Sequence, residues 1–584
     1  MALRVALKFA SVAGLLAWVV AAPHAASAAG ADKLKAEIDT FIGRVRTSSN
    51  DVMRWEGAES IGVRDDGADA IAEIVKGKVS IHPENTKPLT TLVMTFDRME
   101  IRRSPEAGGG DRVKFTVKLP TLSRIAVPDG SDVTLVLKDA TIAALIEGAA
   151  EHQRSVALNL ASGRIEHQAS ASWLNFGPVT SNWNLVGGDN GGWTTPVDFQ
   201  SKSIEFAIPQ GSVIGRVERI GYAGGAAGPN LAEFETLRDQ LAELREQTDP
   251  NKRVAELLAL LPKILAAFTN SKGELAIEQV SMKNTDGTTA VSLAKANLGG
   301  SIAGLDSDKA TWRFTIGHDG LTIDPSVLSA KQVPRRAIID FGIEDISVPI
   351  LRNLAEAASH MGPEASDGDK QQALIQIIAG AMTLSPVLRL YTAAVEFPDV
   401  KIDATGEGKR GPPAPLGYAA TGDVTVHGFD ALSEVLTDKN DRQQLALLKI
   451  IGEPGTDGDG VKILKFHLAA ATDKPPTVNG SDIADWFHGG DQFGKMPAGP
   501  PRLLRLADPL EQGDDVRAVQ KAVKANEIER FSDGVYDTAT ALAVARYQKA
   551  SGLNVSGVVD APTAAKLGLK PPEKPPGKSP GAKN

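Results

Sequence analysis

The 584-residue chain contains no cysteine. That excludes a disulfide framework, a thiolate metal site, a lipid-modified cysteine behind a leader and a cysteine nucleophile. Positive charge is not in excess either. Lys and Arg total 63 against 72 Asp and Glu, a formal charge of −9, which argues against a nucleic-acid partner, because such a partner requires a basic face. Long hydrophobic runs are missing as well. The apolar run from Phe9 to Ala22 falls short of the ~20 residues that a spanning helix needs.

That run has another reading. Arg4 and Lys8 precede it, Pro23 breaks it, and Ala26-Ser27-Ala28 follows, which is the pattern of a secretory signal peptide with a small-x-small cleavage site. The expectation is export to the periplasm, removal of residues 1–28, and a mature chain that begins near Ala29, is soluble and has no transmembrane span.

The residues offer little for catalysis. His82, His152, His167, His318, His360, His427, His467 and His488 form no HExxH pair and no close spacing that would seat zinc. Ser292-Leu293-Ala294-Lys295 has the serine and lysine spacing of penicillin-binding enzymes, but it sits in an alternating, strand-like run without a Lys-Thr-Gly partner. Glu151 and the carboxylates from Asp482 to Asp485 find no second carboxylate at a readable spacing. No Gly-rich phosphate loop follows a strand. No catalytic residue, metal or cofactor is therefore assigned, and the chain is read as a binding protein rather than an enzyme.

What is present is mostly β. Asp66-Gly67, Asp129-Gly130, Asn190-Gly191, Asp286-Gly287, Asp319-Gly320, Asp459-Gly460 and Asn479-Gly480 are turn dipeptides. Between them lie alternating runs such as Val113, Phe115, Val117 and Leu119, Trp312 to Ile316, and Leu464 to Leu468, which place apolar residues on one face of a strand. Leu231, Phe234, Leu237, Leu241 and Leu244 share a helix face, and a Leu-rich stretch from Val254 to Phe268 follows Pro250. The expected layout is a β-rich region over 29–228, a helical hairpin over 229–270, and an α+β region over 271–490 with helices near 346–360, 370–393 and 430–451. A Pro- and Gly-rich linker over 491–507 follows, and a Pro- and Lys-rich tail from 571 has no apolar run to pack. The fold class is α+β. Trp173, Phe176, Trp183 and Trp193, interleaved with Asn175, Asn182, Asn184 and Asn190, have the composition of a sugar-stacking face, or else are inward residues of a hairpin.

The most informative stretch runs from Leu510 to Leu567. Asp514 and Asp515 precede Val516, Val519 and Val523 at helical spacing, and acidic residues suit the positive end of a helix dipole. Asp533-Gly534 is a turn, with Thr540 opening a helix that carries Leu542, Ala543 and Tyr547. Ser556-Gly557 repeats the turn, and Thr563 starts a last short helix ended by Gly568. In this pattern of Gly513, Gln520, Gly534, Tyr536, Thr540, Gln548, Gly552, Gly557 and Thr563, the stretch resembles the small three-helix peptidoglycan-binding domain of bacterial wall enzymes and wall-anchored proteins. The resemblance implies an all-α domain over 508–570 with peptidoglycan as partner, and loops and helix starts that receive peptide or glycan. Asp533, Tyr536, Asp537 and Thr540 are the positions it marks. The stretch departs from the family at Asp537 and Asp560, where glycine is usual, and at Ser556, where aspartate is usual. The rest of the chain loosely resembles uncharacterised periplasmic β-rich proteins whose ends read Val-Asn-Gly, as at Val478 to Gly480.

These readings combine into an exported, wall-associated envelope protein whose large β-rich part has an unassigned ligand. Half-apolar sheets beside amphipathic helices also suit a carrier of lipid or another hydrophobic ligand. A wall hydrolase of unrecognised type is the remaining alternative.

Overall fold

The computed structural model describes residues 30–47, 53–81, 92–106, 112–126, 132–147, most of 152–483, 504–505, 510–523 and 532–569. Residues 1–28, where the sequence suggests a signal peptide, lie outside the described residues, as do the Asp129-Gly130 turn, nearly all of the 491–507 linker and the tail. Two compact units make up the chain. The first comprises Met1–Leu328 and Asp340–Pro386, the second Ser329–Ile339 and Val387–Asn584. Among the described residues, no helix is long and apolar enough to cross a membrane.

The first unit is a succession of antiparallel strands, each paired with its neighbours in one sheet. The turn dipeptides fall where the sequence places them, with Gly67, Gly191, Gly287 and Gly320 all at positive φ, the conformation that lets a two-residue connection reverse the chain. At Lys76 (φ 48°) the backbone becomes left-handed, and the buried positions change from Ala70, Ala72 and Ile74 to Val79. A kink of this kind re-aims the strand and curves the sheet. Ser203 and Gln279 carry the same conformation in later strands. Three glycines sit opposite a phenylalanine, as Gly77–Phe96, Gly163–Phe176 and Gly215–Phe206. Each ring lies where the glycine's missing Cβ would be, at 2.0 to 2.3 Å, so the ring covers the bare backbone.

One row of cross-strand partners organises the apolar face: Ile101, Val117, Ile142, Leu158, Ser181, Phe199, Tyr222, Leu275, Leu298 and Ile316. Directly paired residues project from the same side of a sheet. At its start the row is core. Ile101, Val117 and Ile142 are buried together with Phe96, Phe115, Leu135 and Ile165. A helix over Gly30–Thr47 packs into this core through Leu34, Ile38 and Ile42, which recur every fourth residue on one helix face. The sequence reading assigned no element there.

The helical hairpin is Leu231–Glu246 and Pro250–Ala267. Asn230 and Asp249 cap its two helices, each accepting from first-turn N–H groups. It closes over Trp193, which lies 3.9 Å from the Phe234 ring and 5.3 Å from Phe268, centroid to centroid. Arg154 ties it to the sheet by donating to Glu235 at 2.5 Å and to Glu147 at 2.9 Å. Arg112 beside Glu147, with Arg154 adding to it, holds that carboxyl below the usual range.

The helices expected near 346–360 and 370–393 are Val348–Ser359 and Asp367–Thr383. The second ends ten residues early, and Val387–Glu396 is a strand. Its sequence VLRLYTAAVE has the β-branched and aromatic content that a pleated surface favours, which the expected helix overlooked. In the second unit this strand pairs with Lys401–Arg410, that with Tyr418–His427, and that with Lys462–Ala471. Asn479 (φ 49°) locks the following turn. Its amide donates to Ile451 O and Lys465 O at 3.0 and 3.1 Å and accepts from His467 N–H at 2.6 Å. The Val-Asn-Gly sequence thus records a hydrogen-bonded corner.

Candidate functional site

The C-terminal module contains helices over Asp514–Ala522, Thr538–Ala550 and Ala561–Lys566. Val516, Val519, Tyr536, Val544 and Val559 form its core. Two buried glutamines give it an internal symmetry. Gln520 Oε1 accepts from Gly534 N–H at 2.9 Å, while Nε2 faces Ser532 O, Val535 O and Thr540 Oγ1 at 2.9 to 3.0 Å. Gln548 repeats the arrangement one half later. Its Oε1 accepts from Ser556 and Gly557 N–H, both at 2.9 Å, and Nε2 faces Val558 O at 2.8 Å and Thr563 Oγ1 at 3.0 Å. Each amide therefore fastens a glycine turn to the threonine of the next helix. A primary amide suits this role because it both donates and accepts.

The two threonines do not open the helices, as the sequence suggested. Asp537 and Asp560 are the N-caps, with carboxylates accepting from Thr540 N–H at 2.9 Å and Thr563 N–H at 2.8 Å. These are two of the positions at which the sequence departs from the resemblance given above. Here the extra side chains satisfy orphan helix donors and add negative charge at the positive helix end.

The four positions marked by the resemblance separate by depth. Asp533 is at the surface, its side chain 76% exposed, and accepts from Arg517 Nε at 3.2 Å. Arg517 also reaches Asp514 at 2.5 Å. Asp533 and then Asp514 raise the Arg517 pKa. Tyr536 is fully buried and donates to Gly557 O at 2.9 Å. Burial, with the charge of Glu511 adding to it, pushes its phenol far above the usual value. Thr540 is also fully buried, its hydroxyl 2.8 Å from Asp537 Oδ1, while the second Asp537 oxygen accepts from Ser532 N–H at 2.6 Å. Asp537, Tyr536 and Thr540 thus brace the loop from beneath, and Asp533 faces solvent on top of it.

Within the second unit, the module shares a core with the sheet. Ala545 and Val555 are buried in one cluster with Val400, Val426, Phe466 and Val478. Asn554 and Asp482 exchange hydrogen bonds, with Asp482 N–H donating to Asn554 Oδ1 and Asn554 Nδ2 donating to Asp482 O at 3.2 Å. Lys549 Nζ donates to Ile450 O at 2.6 Å.

Among the described residues the other sequence candidates do not converge; His82, Glu151, Asp485 and His488 lie outside them. Ser292 and Lys295 lie on one strand, Thr289–Ala303, and residues three apart on a strand project to opposite faces. Ser292 Oγ is instead 2.6 Å from Thr322 Oγ1. His427 lies 3.3 Å from Asp457, and His467 lies 3.0 Å from Asp423. Among the described residues, no group of three or more His, Asp or Glu side chains is placed to hold a metal. The aromatic group is dispersed. Trp193 is core, and Trp173 stacks beneath the Arg164 guanidinium at 5.4 Å. Trp183 pairs with Val156 and Val197, beside the apolar row.

No curated protein matches the chain. Residues 512–567 match the family model described as "Putative peptidoglycan binding domain", and the three helices and both glutamine clamps fall inside that match. The module is a C-terminal helical domain of the peptidoglycan-binding type, joined to a large antiparallel β-rich region.

Proposed function

We propose that this is an exported envelope protein held on peptidoglycan by residues 512–567, with a β-rich region that performs no catalysis. The observation that carries the reading is the intact module. Both halves of its clamp are closed, and its residues match the wall-binding family. The leader pattern ahead of Ala29 supports export, and the projection of Ser292 and Lys295 to opposite faces of one strand supports a non-catalytic role. Asp533 is the ligand-facing member of the loop. Its exposed carboxylate accepts bonds from stem-peptide amines or glycan hydroxyls, while Tyr536, Asp537 and Thr540 set its position.

Cell fractionation tests the reading. The full chain, expressed with its leader, is expected in the periplasmic and wall fractions with an N-terminus near Ala29. A cytoplasmic chain retaining Met1 would overturn export. Asp533→Ala is expected to weaken retention on purified sacculi several-fold without moving the melting temperature. Unchanged retention would remove Asp533 from the interface.

A further inference from the structure

We infer that the two halves of the C-terminal module have divided their work: the second half is a permanent dock onto the sheet of its own unit, and the wall is left to the first. The internal symmetry of the clamps carries the comparison. Counting from Gln520 and Gln548, Val516 corresponds to Val544, Arg517 to Ala545 and Lys521 to Lys549. Counting from the turn glycines Gly534 and Gly557, Ser532 corresponds to Val555 and Asp533 to Ser556.

Where the module's own fold decides the environment, corresponding residues share it. Val516 and Val544 are both fully buried in the module's core. The pairs on the outer face do not match. In the first half, the Arg517 and Asp533 side chains are 55% and 76% exposed, and Ser532 is exposed as well. In the second half, Ala545, Val555 and Ser556 are 0%, 6% and 4% exposed.

The difference is what lies over the face. Ala545 and Val555 enter the cluster of Val400, Val426, Phe466 and Val478. Val426 is paired with Leu464, Val424 with Phe466, and Leu468 with Val478, so these strand residues alternate onto one apolar face. Polar contacts ring the apolar one. Lys549 Nζ donates to Ile450 O at 2.6 Å, and Asn554 Nδ2 to Asp482 O at 3.2 Å. An apolar centre with satisfied polar groups at its edge is the anatomy of a specific interface. The sequence follows the same division. Positions 545 and 555 that touch the sheet are apolar, and their counterparts Arg517 and Ser532 are polar.

A Pro- and Gly-rich linker ahead of a terminal module would leave it free to swing. The dock removes that freedom. Peptidoglycan held by the first half therefore fixes the orientation of the second unit's sheet to the wall, and the module in turn keeps water from the apolar face beneath it.

The chain has no cysteine, so spin labels can be placed on the full mature chain at Lys474→Cys and Lys566→Cys, both exposed. Pulsed dipolar spectroscopy is expected to give one narrow distance. Ala545→Arg with Val555→Ser gives the second half the residues that the first half carries at the same places. The module is therefore expected to keep its hydrogen-exchange protection over 512–523 and 538–567 while the distance broadens. Asn554→Ala with Val555→Ser leaves the helix untouched and is expected to broaden the distance too, which keeps the test decisive if the arginine disturbs folding. A broad distribution without these substitutions, or a narrow one in both variants, would overturn the dock. Co-sedimentation with sacculi is the second arm, and only this arm rests on the wall-docking reading. Both variants are expected to be retained as the native chain is. Folded variants that lose retention would place the ligand on the second half and overturn the division. A native chain that gives the narrow distance but is not retained would overturn the wall's share of the division and leave the dock standing.

Discussion

Replacing Gln548 by alanine separates a folding role from a contact role in the module. The amide accepts from two backbone N–H groups, of Ser556 and Gly557, and donates toward Val558 O and Thr563 Oγ1, all from a fully buried position. Truncation leaves the two N–H groups without a partner, at about 1–3 kcal/mol each, and opens a cavity that adds to the loss. The expected cost is about 3–5 kcal/mol. The module's own core is small, and a core of that size rarely supplies more than about 3–5 kcal/mol, so the substitution removes most of what holds the module beyond the Ala545 and Val555 contacts it shares with the sheet. Asp533→Ala, at an exposed site, is expected to stay within about 0.5 kcal/mol. Hydrogen exchange of the full mature chain reads both variants. In Gln548→Ala, protection is expected to disappear over 512–567 and persist in the first unit, with loss of retention on sacculi. A Gln548→Ala chain that keeps native protection over 538–567 would refute the clamp argument.

Asp340→Asn probes the Arg313 pair, in which Arg313 Nε donates to Asp340 at 2.8 Å. Arg313 holds the Asp340 carboxyl below the usual range. A depressed carboxylate stabilises the fold above its unfolded value near ~4 and loses that contribution as pH falls through the folded value. The variant is expected to be about 1–2 kcal/mol less stable at pH 7 and to have a shallower stability loss below pH ~4, measured by urea titration across that range. Gly77→Val places a Cβ 2.0 Å from the Phe96 ring and is expected to cost about 1–3 kcal/mol. Thermal melting checks this, and an unchanged melt would show that the ring is not confined. Incubation of the mature chain with sacculi is expected to release no soluble muropeptides by chromatography. Release abolished by Ser292→Ala would reinstate the serine.

Features encoded over short distances were legible in the sequence, and features assembled across strands were not. Asp286-Gly287, Asp319-Gly320 and Asn479-Gly480 mark reversals because a left-handed residue is a local demand. The module's turns and helices were legible for the same reason, although its caps were assigned to Thr540 and Thr563 rather than to Asp537 and Asp560. Both residue types cap helices well, and only the hydrogen bonds distinguish them. The depth of Tyr536 was not visible, since an aromatic beside a loop reads equally as contact or core. The Gly30–Thr47 helix carries only the short spacing of Leu34, Ile38 and Ile42 as its signal. The apolar row depends on the register of strands from Leu92–Pro105 to Lys309–Asp319, and periodicity within one strand does not encode which residue lies opposite it in the next.

Co-sedimentation of the full mature chain with purified sacculi tests the central claim most directly. The chain is expected to pellet with intact sacculi and to remain in the supernatant once the same sacculi have been digested to soluble fragments. A chain that stays in solution beside intact sacculi, while hydrogen exchange shows residues 512–567 folded, would contradict wall docking by this module.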